Sequence, residues 1–252
     1  MICIPGLSQD ARSFEYLGSR LGSPLRQVVA ISPRGRGESV TTPAGTYGWL
    51  AHARDAAEAA TLLERPTFDA VGWSMGAFVT LQLAAAAPGR IRRAVLLDAI
   101  GRPEPESVPP ILNGLQRLGA SYGSVEEYTA RVLSAGTMAA CREAWEGYLA
   151  ADLMETPEGL KTRTSSEAVM EDARYGADQD PYGFWSSLTM PVLLVRAGRP
   201  ILPGLGFVVS EADRDRFRSE VRLSQVVEVD TNHHCLGMAA DTAQAVARFL
   251  DE

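Results

Sequence analysis

Phe68-Asp69-Ala70-Val71-Gly72-Trp73-Ser74-Met75-Gly76-Ala77-Phe78-Val79-Thr80-Leu81 is the stretch on which the reading of this chain turns. A short apolar run leads in and a run of small and apolar residues leads out. Between them, Gly72-x-Ser74-x-Gly76 fits a sharp strand-to-helix turn. There the central serine takes a sparsely allowed backbone conformation, and the residues two before and two after must be nearly without side chain. Gly72 and Gly76 meet that demand. Glycine and serine are common, so the strand before the turn and the helix after it carry more weight than the five-residue pattern alone.

Outward from this turn, short apolar runs alternate with longer amphipathic ones. Residues 2–4, 27–31, 68–71, 93–97, 191–195 and 226–229 read as strands; 49–63, 77–87, 213–218 and 242–250 read as helices. Buried strands joined by helical crossovers predict an α/β fold, a doubly wound and mostly parallel sheet covered on both faces. The rhythm changes after Gly101. Prolines at 103, 105, 109 and 110 break the chain, and helical segments follow with no strand between them as far as Leu188. The expected division is therefore residues 1–101 as the first part of the core, 102–187 as a helical lid insertion, and 188–252 as the last part of the core. Most of the insertion's apolar stock, such as Leu115, Tyr128, Trp145 and Leu149, is expected in the insertion's own core.

Composition narrows the partners. The 252 residues carry 24 basic and 31 acidic side chains, for a net charge of -7, and the phosphate backbone of nucleic acid or an anionic membrane surface rewards the opposite sign. The default partner is a small molecule; the sequence assigns no oligomeric state. Lys161 is the single lysine among the basic residues, a bias expected of a GC-rich bacterial coding sequence. Cys3, Cys141 and Cys235 are odd in number and widely spaced, so neither a disulfide framework nor a zinc site is expected, and no metal or cofactor site is read. A reducing cytoplasm fits that cysteine usage. No signal-like opening and no apolar run of about 20 residues occurs.

A serine hydroxyl needs a base within hydrogen-bond reach and an acid to orient that base. His52 falls inside an expected helix, as a surface or packing residue. His233 and His234 follow the strand at 226–229, at the carboxyl edge of the sheet where catalytic groups of open α/β sheets gather. With these residues in view, the chain resembles the α/β-hydrolase superfamily along essentially its whole length. Ile2-Cys3-Ile4-Pro5-Gly6-Leu7 is similar to the family strand that ends in His-Gly, with Pro5 in place of His. Pro33-Arg34-Gly35-Arg36-Gly37-Glu38-Ser39 resembles the Arg-Gly-His-Gly-x-Ser turn, and Asn232-His233 takes the place of Gly-His.

That resemblance implies Ser74 as nucleophile, His233 as base ahead of His234, and an oxyanion hole from the backbone N–H groups of Leu7 and Met75. The family's usual acid position after the strand at 191–195 holds Ala197-Gly198-Arg199-Pro200 instead, with no carboxylate. Some members carry the acid one strand earlier, where Asp98 stands, and Asp98 is the preferred third member. The Glu211/Asp213 region and a chain without a functional acid are the alternatives. The family's preceding hairpin is not seen before the strand at Ile2, so either it is absent or the true start lies upstream, and that strand is expected to lack one neighbour. The implied activity is that of a serine hydrolase cleaving a small, mostly apolar ester, thioester or lactone. A lyase, cyclase or C–C hydrolase of a natural-product pathway, and a non-catalytic ligand-binding protein, are the alternatives on the same fold.

Overall fold

A computed structural model describes residues 1–252. Six strands form one sheet: β1 (Ile2–Ile4), β2 (Val29–Ala30), β3 (Phe68–Trp73), β4 (Ile91–Leu97), β7 (Val192–Ala197) and β8 (Ser224–Val229), in the order β2-β1-β3-β4-β7-β8. Every pair is parallel. β3 and β7 are buried at every position, as strands covered on both faces must be.

Alternate residues of each strand feed two separate cores. Ile2, Ile4, Ala70, Leu96 and Leu194 pack with α2 (Trp49–Leu62), α3 (Met75–Ala86) and α8 (Glu211–Glu220) on one face. Cys3, Val71, Val95, Leu193 and Val195 pack with α1 (Glu15–Leu21) and α9 (Ala240–Asp251) on the other. A one-residue slip would exchange these sets, so burial worth roughly 1.5–3 kcal/mol for each large aliphatic side chain fixes the register.

Two expectations are corrected here. β1 is not an edge strand, because it pairs with β2 on one side and β3 on the other; the edge is the two-residue β2. The segment between β4 and β7 is not purely helical. Alongside α4 (Val108–Leu115), α5 (Val125–Leu133), α6 (Arg142–Ala151) and α7 (Ser166–Asp178), it contains an antiparallel hairpin, β5 (Leu153–Thr156) and β6 (Gly159–Thr162). The two-residue turn at Pro157-Glu158 is followed by Gly159 at φ 110°, a conformation that glycine permits. Strands of four residues with mixed polarity left too little periodicity to read.

A third correction concerns the cysteines. Cys141, just before α6, is disulfide-bonded to Cys235, two residues beyond His233, while Cys3 is free and buried. The sequence separation of 94 between the two cysteines hid the pairing, and the ground for inferring a reducing compartment goes with it. No helix is long and apolar enough to cross a membrane.

Candidate active site

Ser74 lies between β3 and α3 with φ 55° and ψ -120°, one of three non-glycine residues at positive φ. The turn is tight enough that a Cβ on Gly72 would lie 2.1 Å from the Gly76 carbonyl oxygen. One on Gly76 would lie 1.9 Å from that of Ile4. Both glycines are therefore dictated by contact between backbones, and the strain at Ser74 is held by β1, β3 and α3 together.

Asp98, at the end of β4, is also at positive φ, 51°, and is 1% exposed. One carboxylate oxygen accepts the Ala197 N–H at 2.9 Å, which ties it to the end of β7. The other lies 2.9 Å from His233 Nδ1, and His233 Nε2 lies 3.0 Å from Ser74 Oγ. Ser74, His233 and Asp98 thus meet at the carboxyl edge of the sheet. A carboxylate can only accept, so Nδ1 carries the proton and Nε2 turns its lone pair toward the serine hydroxyl.

The remaining candidates lie elsewhere. Glu211 is exposed at the start of α8. Asp213 accepts the Tyr182 hydroxyl at 3.0 Å while its own N–H is capped by Ser210. His234 makes no hydrogen bond to Ser74, whose hydroxyl meets His233; its ring stands edge-on to that of His233 at 5.6 Å. Burial, followed by the charges of His233 and Arg117, pushes its pKa down to about 3, so it is a neutral wall of the site.

The loop carrying His233 is fastened to the segment between β4 and β7. Asn232 Nδ2 donates to the Thr137 carbonyl at 2.7 Å, Trp145 Nε1 donates to the His234 carbonyl at 3.0 Å, and the Cys141–Cys235 bond adjoins both. Above Ser74 lies a cavity of about 700 Å³. Leu7, Ile111, Val132 and Trp145 line it together with Gln9, Asn113 and Arg117, and fewer than half of its lining residues, 11 of 26, are hydrophobic. The Leu7 N–H has no acceptor within the protein, and the Met75 N–H opens α3, where no preceding turn offers one. No group of three or more His, Cys, Asp or Glu side chains is arranged to hold a metal ion.

The model of the alpha/beta hydrolase family matches residues 1–249. The chain belongs to this family. It is 28% identical over 256 residues to 2-(acetamidomethylene)succinate hydrolase of Mesorhizobium japonicum, covering all of this chain and 87% of that protein. It is 33% identical over 98 residues to N-formylmaleamate deformylase of Pseudomonas putida, covering 39% of this chain and 36% of that protein. Among solved structures, that of E-2-(acetamidomethylene)succinate hydrolase superposes with a TM-score of 0.85 at 24% identity, over 100% of this chain and 91% of the other. Membership and the named hydrolases among its relatives make this hydrolase an enzyme by kinship.

Sequence reading missed two groups in this hydrolase. Arg117 was not singled out, because nothing in an isolated arginine of a helical insertion marks it as a cavity residue. His52, expected from the sequence as a surface or packing residue, is buried, with Nε2 2.8 Å from Asp172 Oδ2, and Asp172 in turn accepts from Arg36. The only available signal was Arg36 itself, which stands where the resembling turn carries histidine.

Proposed function

We propose that the protein hydrolyses a small acyl compound through an acyl-enzyme on Ser74. The reading rests on one observation, the continuous contact from Asp98 through His233 to Ser74 at 2.9 and 3.0 Å. Ser74 Oγ attacks the substrate carbonyl carbon as its proton passes to His233 Nε2, and Asp98 stabilises the imidazolium that results. Charge developing on the carbonyl oxygen is met by the N–H groups of Leu7 and Met75, each such donor lowering the barrier by about 3 kcal/mol. His233 then gives its proton to the departing oxygen, sulfur or nitrogen. Water, deprotonated by the same Nε2, attacks the acyl carbon and releases the acid and Ser74.

Ester, thioester and lactone substrates all suit this sequence of steps, and the relatives' names add acetamido and N-formyl compounds. The mostly apolar substrate expected from the sequence is narrowed here to one that also bears a carboxylate. Arg117 commits Nε to the Tyr128 hydroxyl, Nη2 to the Ser8 carbonyl and hydroxyl, and one Nη1 hydrogen to the Gly114 carbonyl. One of its five N–H donors is left for a ligand beside the apolar wall. Both relatives are named for carboxylate compounds, a succinate and a maleamate.

The test is labelling by a fluorophosphonate followed by peptide mapping, with a panel of p-nitrophenyl esters and N-acyl compounds with and without a carboxylate. Wild type is expected to be labelled on Ser74, Ser74→Ala to be unlabelled, and Arg117→Met to lose preference for the acidic members of the panel. Labelling without turnover of any carbonyl substrate would shift the assignment to lyase or cyclase chemistry, and absence of labelling to ligand binding.

A further inference from the structure

Arg36 is fully buried and divides its guanidinium among three acceptors. Nε and Nη2 both donate to the Leu7 carbonyl, at 3.2 and 2.9 Å; Nη1 donates to the Arg34 carbonyl at 3.0 Å. Nη2 also donates to Asp172 Oδ2 at 2.5 Å. Asp172, on α7, collects the Gly48 N–H at 2.6 Å and His52 Nε2 at 2.8 and 3.0 Å, so one carboxylate joins three separate segments. A second tie runs from the Ser165 N–H to the Gly35 carbonyl at 2.8 Å, again linking the start of α7 to the turn that carries Arg36.

We propose that Arg36, Asp172 and His52 act as a buried clamp that positions the Leu7 amide for the developing oxyanion. This rests on the acyl-enzyme reading above, which makes Leu7 N–H one of the two oxyanion donors. Leu7 lies in a loop outside helix or strand, so its N–H direction is not set by a backbone ladder as that of Met75 is set by α3. Gripping its carbonyl with a planar fork fixes the peptide that follows, and with it the conformation of the residue that carries the donor. The loop offers a carbonyl there, which the guanidinium meets with two donors at once. A buried guanidinium in turn needs a carboxylate, or it would be an uncompensated charge. Burial opposes ionisation of Asp172, but the His52 hydrogen bond, the Arg36 charge and the Gly48 N–H outweigh it and hold the carboxyl below its ordinary pKa. Asp172 is therefore charged at neutral pH. Because Asp172 sits on the last α-helix before β7 rejoins the sheet, the clamp also makes the oxyanion loop depend on how the segment between β4 and β7 is seated.

The experiment compares Asp172→Asn, His52→Gln, Arg36→Lys and Arg36→Met with wild type. Active sites are counted by fluorophosphonate titration, so that misfolded protein is excluded from kcat. Asp172→Asn is expected to lower kcat per titrated site by about tenfold to a hundredfold, the range for a misplaced catalytic group, with KM changed less than about threefold. His52→Gln, which leaves the Arg36–Asp172 pair intact, is expected to fall by less, and Arg36→Lys to retain more activity than Arg36→Met. If Asp172→Asn does not fold, His52→Gln carries the kinetic test. Independently of turnover, the Leu7 amide resonance of 15N-leucine-labelled protein is expected to move in each variant. Unchanged kcat per site together with an unmoved Leu7 resonance would overturn the clamp and leave the three residues as packing. Should wild type fail to label at Ser74, the hydrolase reading falls while the Leu7 resonance still decides the clamp.

Discussion

Two buried histidine–aspartate pairs stand in this molecule, and they differ on the far side of the ring. His233 and Asp98 meet at 2.9 Å, and the other ring nitrogen faces Ser74 Oγ. His52 and Asp172 meet at 2.8 Å, but His52 Nδ1 has no partner, and Asp172 is shared with an arginine and a backbone N–H. A carboxylate contact by itself therefore does not make a catalytic base. What separates the two is the Ser74 hydroxyl in a strained turn beyond one ring and the proposed clamp beyond the other carboxylate. The first pair is assembled from the ends of β4 and β8 and the second from α2, which flanks the sheet, and α7 of the segment between β4 and β7, so each inherits the geometry of what carries it.

The comparison breaks most severely at Asp98. Replacing it with Asn is expected to cost about 10⁴ in kcat, because the amide misaligns the imidazole tautomer, whereas Asp172→Asn should cost far less. Steady-state ester hydrolysis on both variants checks this, and equal small losses would remove Asp98 from the site. Next in size is the disulfide. Cys141→Ser/Cys235→Ser opens a loop of 94 residues and is expected to lower stability by about 2–4 kcal/mol in denaturant titration. It should also perturb the His233 pair and spare the His52 pair, since Cys235 adjoins only the former.

Two smaller effects sharpen the contrast. Asp213→Asn, on the alternative acid, is expected to leave kcat within about twofold, as befits a surface polar change. His234→Gln tests the neutral wall. Its pKa of about 3 lies below the ordinary 6.5, so between those values the unfolded chain binds more protons than the folded one. Stability from this residue is complete above pH 6.5 and is lost as pH falls toward 3. The Gln variant should flatten that acid-side decline in Tm.

The fold was legible where constraints are local. Gly72, Ser74 and Gly76 lie within five residues and report a backbone collision that no other side chains permit, and the apolar runs reported the parallel strands. Resemblance to a family, rather than residue chemistry, pointed to Asp98 and Leu7. What escaped depends on contacts between distant segments: Arg36 with Asp172 across 136 residues, Cys141 with Cys235 across 94, and Arg117 turned into the cavity. The hairpin β5–β6 escaped for a different reason, since its register is made by pairing and by the Tyr122–Leu160 bridge, not by an alternating pattern.

The central claim is that Ser74 carries the acyl group between two half-reactions. The direct measurement is rapid acid quenching of turnover of p-nitrophenyl butyrate, followed by mass spectrometry of the Ser74 peptide. The account predicts a butyryl group on Ser74 that accumulates in wild type and is absent from Ser74→Ala. Turnover at the wild-type rate with Ser74 never acylated, or with the butyryl group on another residue, would contradict it.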